Sequence, residues 1–451
     1  MADDTSVPVL ELADIQSGVL RPRPSPYAAT YILLRIDEAR AGRELLRRLS
    51  DIVTSAAAPV RSGRDTFVSV ALTFEGLKAL GVPQPSLDSF AWEFRQGMVA
   101  RAAALGDVGE SAPEHWEAPF GTAAVHVILV GVAPDSDTLE AALVRARAAF
   151  ADLAGVAPIW RQDCYAPPGE KEPFGFKDGI SHPAIEGSGV PGSNALERPL
   201  KAGELVLGYP DETGGLPPAP TPDLLGRNGT YVAFRKLHQK VAQFRTYLRD
   251  AASGPDDEEL LAAKMMGRWR SGAPLALCPL HDDAALGHDS ERNNTFLFGA
   301  EDAAGYSTPP GSHIRRCNPR DAEVAGVVRL HRMIRRGTAY GPLLPEGMLE
   351  DDGADRGLMF AFVGAHLKRQ FEFVQSEWVN GGEFLGLGDA RDPIAAAEGT
   401  ATYSIPRRPI PRRMKGLPSF VTMRGGEYGF MPGLKALRWL ADLPDEPGGA
   451  A

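Results

Sequence analysis

The stretch EPFGFKDGIS, residues 172–181, sets an acid, Asp178, between Lys177 and Gly179, with Phe174 and Phe176 just ahead of it. An Asp beside Gly is ordinarily turn chemistry, because its short carboxylate bonds nearby amides and Gly accepts a positive φ. Two further stretches concentrate charge, and a third is an apolar run near them in sequence. GSHIRRCNPR, residues 311–320, holds His313, Arg315, Asn318 and Arg320. HRMIRRGTAYGP, residues 331–342, carries Arg335 and Arg336 and then Tyr340. GLMFAF, residues 357–362, is wholly apolar and includes Leu358 and Phe360. Imidazole, carboxylate and guanidinium groups placed this way are candidates for proton transfer, anion stabilisation or metal ligation.

Other chemistries lack their signatures. No serine sits in GxSxG, and Ser181 and His182 are too close in sequence to Asp178 to form a triad with it. HExxH and the haem-attaching CxxCH are absent, and Cys317 has no thiolate-haem signature around it. GLGDA, residues 386–390, lacks the third glycine of a dinucleotide loop. The acidic run EDDGAD, residues 350–355, lacks the spacing of a calcium loop and reads as a solvated turn.

The elements that must position these groups follow from the rest of the chain. Its 451 residues, 43% hydrophobic and 24% charged, suffice for two or three globular domains. A formal charge of −10 argues against nucleic acid or an anionic membrane as the main partner, since both reward a basic face. The acidic opening shows no basic segment ahead of an apolar run, and the longest apolar run, residues 123–133, is too short to span a bilayer. Cys164, Cys278 and Cys317 have no CxxC spacing and fit reduced thiols. The expectation is a soluble, cytoplasmic protein.

Periodicity predicts strands at 27–37, 67–74 and 123–132 and helices at 38–57, 90–105 and 139–153. Residues 186–229, rich in Gly and Pro, read as a long connection. A second alternation follows, with strands at 230–234, 295–298, 358–363 and 420–423 and helices at 236–252 and 365–378. Residues 402–415, TYSIPRRPIPRRMK, read as a basic extended loop. The simplest organisation is an α+β half, 1–185, ending in the GFKDG motif, a connection, 186–229, and a second α+β half, 230–451.

Taken in order, GFKDG (175–179), SHIRRCNPR (312–320), MIRRGTAYG (333–341), GLMFAFVGAHLKRQFEFVQSEWVN (357–380) and FVTMRGGEYGFMPGLKAL (420–437) resemble the dye-decolorizing peroxidase family over nearly the whole chain. The opening resembles that family's long, cytoplasmic branch. The resemblance implies two ferredoxin-like halves with antiparallel sheets, of the dimeric α+β barrel superfamily, and one haem b per chain in the C-terminal half. His313 would be the proximal iron ligand, with Asp392 as acceptor for its second N–H and Glu377 and Glu383 as alternatives. Asp178 would be the distal acid that moves the peroxide proton, and Arg335, beside it, would stabilise charge as the O–O bond breaks. Leu358 and Phe360 would wall the distal side. Arg315, Asn318 and Arg320 would meet a propionate or the ring edge, and Lys177 and Gly179 would touch the porphyrin through backbone. Bulky donors excluded by Phe360 would be oxidised through surface aromatics, with Tyr340 and Trp378 as candidates.

The implied activity is reduction of hydrogen peroxide with oxidation of dyes, phenols or similar one-electron donors, without a nucleic-acid or membrane partner; a homo-oligomer is left open. The rival reading is a non-catalytic haem-binding or haem-trafficking protein of the same fold, which has no need for both Asp178 and Arg335. The related chlorite-dismutating and porphyrin-decarboxylating enzymes lack the GxxDG acid.

Overall fold

The computed structural model describes residues 9–57, 65–324, 326–383, 386–397, 399 and 401–445. Strand β1, Ala28–Ile36, is buried at all but one position, as happens when both faces of a sheet are covered. It is followed by helix α1, Ala39–Ser50, β2, Phe67–Leu72, and α2, Trp92–Leu105, which breaks at Gly97 where φ is +76°. Then come β3, Val127–Ala133, α3, Ser136–Ala148, and β4, Val156–Tyr165. The four strands lie in the order β4-β1-β3-β2 with every pair antiparallel, the ferredoxin-like arrangement of two βαβ units.

The second half repeats that order. Its elements are β5, Thr230–Gln239, α4, Val241–Ala251, α5, Pro255–Met266, α6, His313–Cys317, β6, Ile334–Arg335, β7, Thr338–Tyr340, and β8, Gly357–Gly364. A π-helical segment spans Leu367–Glu372 and Val374–Val379, followed by β9, Ala401–Ile405, β10, Arg412–Leu417, β11, Val421–Met431, and α7, Leu434–Ala441. The strand order β11-β5-β8-β6 is again fourth, first, third, second, and β7 also pairs with β8. The two sheets join where Phe430 of β11 pairs with Leu72 of β2. On the far side the Tyr31 and Thr338 hydroxyls are 3.0 Å apart and the Ala339 N–H donates to the Tyr27 hydroxyl at 2.8 Å, so β1 and β7 also meet. The Tyr31 and Phe234 rings, 5.0 Å apart, fill the space between the halves.

Four expectations are corrected. Strand β5 does not stop at residue 234 but runs to Gln239, so residues 236–239 are strand and the helix starts at Val241. Its charged residues are buried because other segments supply partners: Asp107 for Arg235, and Glu117 and Asp355 for Lys236. Residues 295–298 form no strand; the Phe298 and Gly299 N–H groups donate to Asp321, and Arg320 lies 3.7 Å over the Phe296 ring. Residues 402–415 contain the β9–β10 hairpin rather than a loop, with Tyr403, Ile405 and Met414 in an apolar cluster of the C-terminal half. The expected helix at 365–378 is wound as π turns. Strand β4, charged along one face at the sheet edge, and helix α7 had no counterpart in the expectations. Among the described residues no helix is long and apolar enough to cross a membrane.

Candidate active site

A cavity of about 310 Å³ opens between the C-terminal sheet and the layer formed by α6 and the π-helical segment. Alternation along the strands sends Leu237 of β5, Leu358 and Phe360 of β8, and Met423 of β11 to its floor. The register sets Leu237 opposite Leu358 and Arg235 opposite Phe360. Ile314 of α6 and Phe371 and Val374 of the π-helical segment extend the apolar lining.

His313, the first residue of α6, also lines the cavity. Its Nδ1 donates to Asp392 Oδ2 at 2.9 Å, and Asp392 is fully buried. The other carboxylate oxygen accepts the N–H groups of Ile394 and Ala395 at 2.8 and 2.9 Å. Burial alone would depress the His313 imidazolium, but the Asp392 charge outweighs it and holds the group well above the ordinary histidine range. Burial opposes ionisation of Asp392 as well, and His313 with the two amides keeps that carboxyl below its usual range. With Nδ1 committed, Nε2 is the nitrogen left for a ligand bond. Arg316 braces the pair: its guanidinium donates to the carbonyls of Trp378 and Gly381 at 2.7 and 2.6 Å and of Ala390 at 2.8 Å, tying α6 to the segment that leads to Asp392. The alternative acceptors Glu377 and Glu383 are both exposed. Cys317 Sγ lies 3.9 Å from each ring nitrogen of His313.

Asp178 reaches the same cavity from the loop after β4. Its Oδ2 accepts from Arg23 Nη2 at 3.1 Å. Arg23, from the segment before β1, is steadied over the Tyr27 ring at 4.1 Å. Gly179 has φ +79°, and a Cβ there would come within 3.0 Å of Arg23 Nη2, so glycine is needed both for the turn and for the approach of the cation. The expected neighbour Arg335 lines the cavity from β6 but is exposed, and its guanidinium donates to the Ser181 carbonyl at 3.2 Å; among the described residues the ion partner of Asp178 is Arg23.

Cations outnumber carboxylates around this space: Arg23, Lys177, Arg235, Arg268, Arg320, Arg332 and Arg335 against Asp107, Glu172 and Asp178. Burial and the neighbouring Arg320 and Arg335 push Arg268 down to about 9, and Arg320 falls to about 9 chiefly through burial. His182, beside them, is held well below the ordinary histidine range by burial and by Arg336, Arg335, Arg23 and Arg332, and its buried Nδ1 has no hydrogen-bond partner among the described residues. An apolar floor with a cationic rim fits a flat, largely apolar cofactor bearing carboxylates, and the braced imidazole fits an iron ligand.

The remaining expected residues divide. Lys177, Gly179, Asn318, Arg320, Leu358 and Phe360 all line the cavity. Arg315 does not: its guanidinium turns away to the Asp302 carboxylate at 3.4 Å and the Thr308 carbonyl at 2.8 Å. Tyr340 and Trp378 are each 1% exposed and so are not surface aromatics. The Tyr340 hydroxyl donates to Asp355 at 3.1 Å, and the Trp378 ring meets His331, which lines the cavity, at 5.1 Å. Arg23, His182, Arg268 and Arg332 escaped sequence reasoning. His182, in the same loop as Asp178, and Arg332, inside HRMIRRGTAYGP three residues before Arg335, had a signal, their adjacency to the singled-out residues.

The family model of the DyP dimeric alpha+beta barrel domain matches residues 14–155. A dye-decolorizing peroxidase of Exidia glandulosa is 30% identical, over 97% of this chain and 88% of its own length. The multifunctional dye peroxidase DyP2 of Amycolatopsis sp. is 28% identical, over 95% of this chain and 96% of its own length. Among solved structures, a dye-decolorizing peroxidase in complex with 2,6-dimethoxyphenol matches with a TM-score of 0.84 at 28% identity, covering 96% of this chain and 100% of that one. An ancestral D-type dye decolorizing peroxidase matches with a TM-score of 0.81 at 30% identity, covering 96% and 99%.

Proposed function

The chain belongs to the dye-decolorizing peroxidase family, and from that premise we propose how its own residues carry the reaction. It is a peroxidase that reduces hydrogen peroxide and oxidises dyes and phenols, and the peroxidases of this family are haem enzymes. The observation that supports our residue assignment is that a braced imidazole, His313, and an acid held by an arginine, Asp178, open on one cavity with an apolar floor and a cationic rim.

In this reading the cavity would hold one haem b, with His313 Nε2 as the protein ligand to its iron. Bound there, haem would supply the redox-active iron for two-electron and one-electron chemistry. Asp392 retains the Nδ1 proton in hydrogen bond and so strengthens donation from Nε2. Arg23 fixes Asp178 Oδ2, leaving Oδ1 to take a proton from one peroxide oxygen and return it to the other. Arg335, not locked in a carboxylate pair among the described residues, is available to the anion that forms as the O–O bond parts. Leu358 and Phe360 exclude water and bulky donors from this step. Arg268, Arg320, Arg332 and His182 would hold the propionates, with Arg332 donating to Asn318 at 3.1 Å, and Lys177 and Gly179 would meet the ring through backbone. Arg315 is a structural cation instead.

Electrons from donors too large to enter would pass through Trp378 or Tyr340 as inner relays. The exposed end for Tyr340 is Tyr165, 41% exposed, whose hydroxyl bonds the carbonyl of Gly341. The reducing partners are aromatic one-electron donors. We place the chain in the cytoplasm, a placement supported by Cys164, Cys278 and Cys317, all unpaired.

Haem-loaded protein is expected to oxidise 2,6-dimethoxyphenol only when peroxide is supplied, and Arg335→Leu to lower that rate by about a hundredfold or more at unchanged haem content, the usual cost of one such donor. Parent rates in Arg335→Leu, measured under limiting peroxide, would remove Arg335 from the mechanism.

A further inference from the structure

Glu172, six residues before Asp178, is 7% exposed. Its Oε2 accepts the Phe174 N–H at 3.0 Å and the Gln239 amide at 2.6 Å, and its Oε1 accepts the Phe176 N–H at 3.0 Å. The Glu172 backbone closes the same turn, its N–H donating to the Phe176 carbonyl at 2.9 Å and its carbonyl accepting the Gly175 N–H at 2.7 Å. Burial pushes this carboxyl up from its ordinary range. A buried acid is an expensive way to close a turn, and three well-aligned donors are the compensation. Gln239, also buried, is the last residue of β5, so the carboxylate joins the turn to the edge of the cavity floor.

The rest of the turn is held from the opposite side. The Phe174 and Phe176 rings pack against Phe244 at 4.7 and 6.4 Å, the Arg270 guanidinium donates to the Phe174 carbonyl, and the Arg270 carbonyl accepts the Lys177 N–H at 3.2 Å. The Asp178 N–H donates to the Glu170 carbonyl at 3.1 Å. Backbone leading into Asp178 is thus fixed, while among the described residues its carboxylate has one hydrogen-bond partner, Arg23.

We propose that Glu172 is a positioning residue of the peroxidase reaction: it locks the turn that presents Asp178 to β5 through Gln239, so that the acid meets the peroxide proton at one place. This inference rests on the reading of Asp178 as that acid. An amide at position 172 has one acceptor and one donor, so one of the Phe174 and Phe176 N–H groups would face an NH2 and lose its bond. Misplacing a reacting group by about an ångström costs on the order of a hundredfold.

The test uses haem-loaded parent, Glu172→Gln, Gln239→Leu and Asp178→Asn in two reactions that need a distal proton acceptor. These are the stopped-flow reaction with hydrogen peroxide and the binding of hydrogen cyanide, which gives up its proton without turnover. Both rates are expected to fall about tenfold to a hundredfold in Glu172→Gln and by a smaller factor in Gln239→Leu. Soret position and haem content should stay those of the parent, and the Phe174 and Phe176 amides should exchange faster with deuterated solvent. Parent rates in Glu172→Gln, or a fall accompanied by haem loss, overturn the proposal. Should Glu172→Gln fail to fold, Gln239→Leu decides, since parent rates there with loosened amides overturn it equally. Parent rates in Asp178→Asn would mark failure of the acid assignment, whereas the exchange measurement still reports whether Glu172 clamps the turn.

Discussion

Asp178→Asn is expected to slow the reaction with hydrogen peroxide by about 10²–10⁴-fold, the range for removing a positioned general acid–base group. Asparagine is the strictest choice at this site. It caps turns as well as aspartate, tolerates the same backbone and can still accept from Arg23, so the loop, Gly179 and the cationic rim should stand as before. What it cannot do is take a proton at Oδ1. Haem content and Soret position should therefore match the parent while the stopped-flow rate collapses. If Asp178 served only the turn, the asparagine variant would react at the parent rate.

The second large effect belongs to His313→Ala. Loss of the imidazole removes the ligand nitrogen and leaves Asp392 as a buried carboxylate without its charge partner, a change that costs about 3–5 kcal/mol in comparable buried pairs. Two outcomes are expected together: haem is no longer held as in the parent, read by titration of the Soret band, and the haem-free protein melts at a lower temperature. Cys317 Sγ, with His313 and Asp392, belongs to the one cluster of metal-ligating side chains found among the described residues. Any Soret band that survives His313→Ala in altered form is expected to vanish in His313→Ala with Cys317→Ser. The milder Asp392→Asn should keep ligation but weaken haem affinity by about 10–100-fold, the usual effect of losing the group that orients a metal-bound histidine. A parent spectrum in His313→Ala would place the iron ligand elsewhere.

His313, Asp392 and Asp178 were singled out through the family resemblance of several ordered motifs, since the run around Asp178 alone reads as a turn; the structure sets His313 against Asp392 and brings His313 and Asp178 to one cavity. Arg23 was not singled out: it stands 155 residues before Asp178 and comes to it only because the segment leading into β1 lies beside the loop leaving β4. Arg268 and Arg332 reach the cavity from separate loops, and their shared burial exists only after folding. The end of β5 was misread for a related reason. Arg235, Lys236 and His238 look like the solvated face of a helix until Asp107, Glu117 and Asp355 arrive from distant segments to satisfy them. Tyr340 and Trp378 show the opposite limit, since residue type marks them as redox-competent but burial depends on neighbours that a one-dimensional pattern does not contain. Arg315 and Arg320 stand five residues apart in one motif, yet the short helix α6 and the turn after it send the first to Asp302 and the second to the cavity. The repeated strand order of the two halves was beyond periodicity altogether, because register and pairing are set by packing between segments rather than within them.

Rapid-scan absorption of the haem-loaded protein, mixed with one equivalent of hydrogen peroxide, tests most directly whether this cavity is a peroxidase site. The Soret band is expected to change at once and to return when 2,6-dimethoxyphenol is added, with oxidised phenol appearing in step. A Soret band that stays unchanged while haem remains bound would be the behaviour of a haem carrier, and would contradict the assignment of His313 and Asp178 to peroxide reduction.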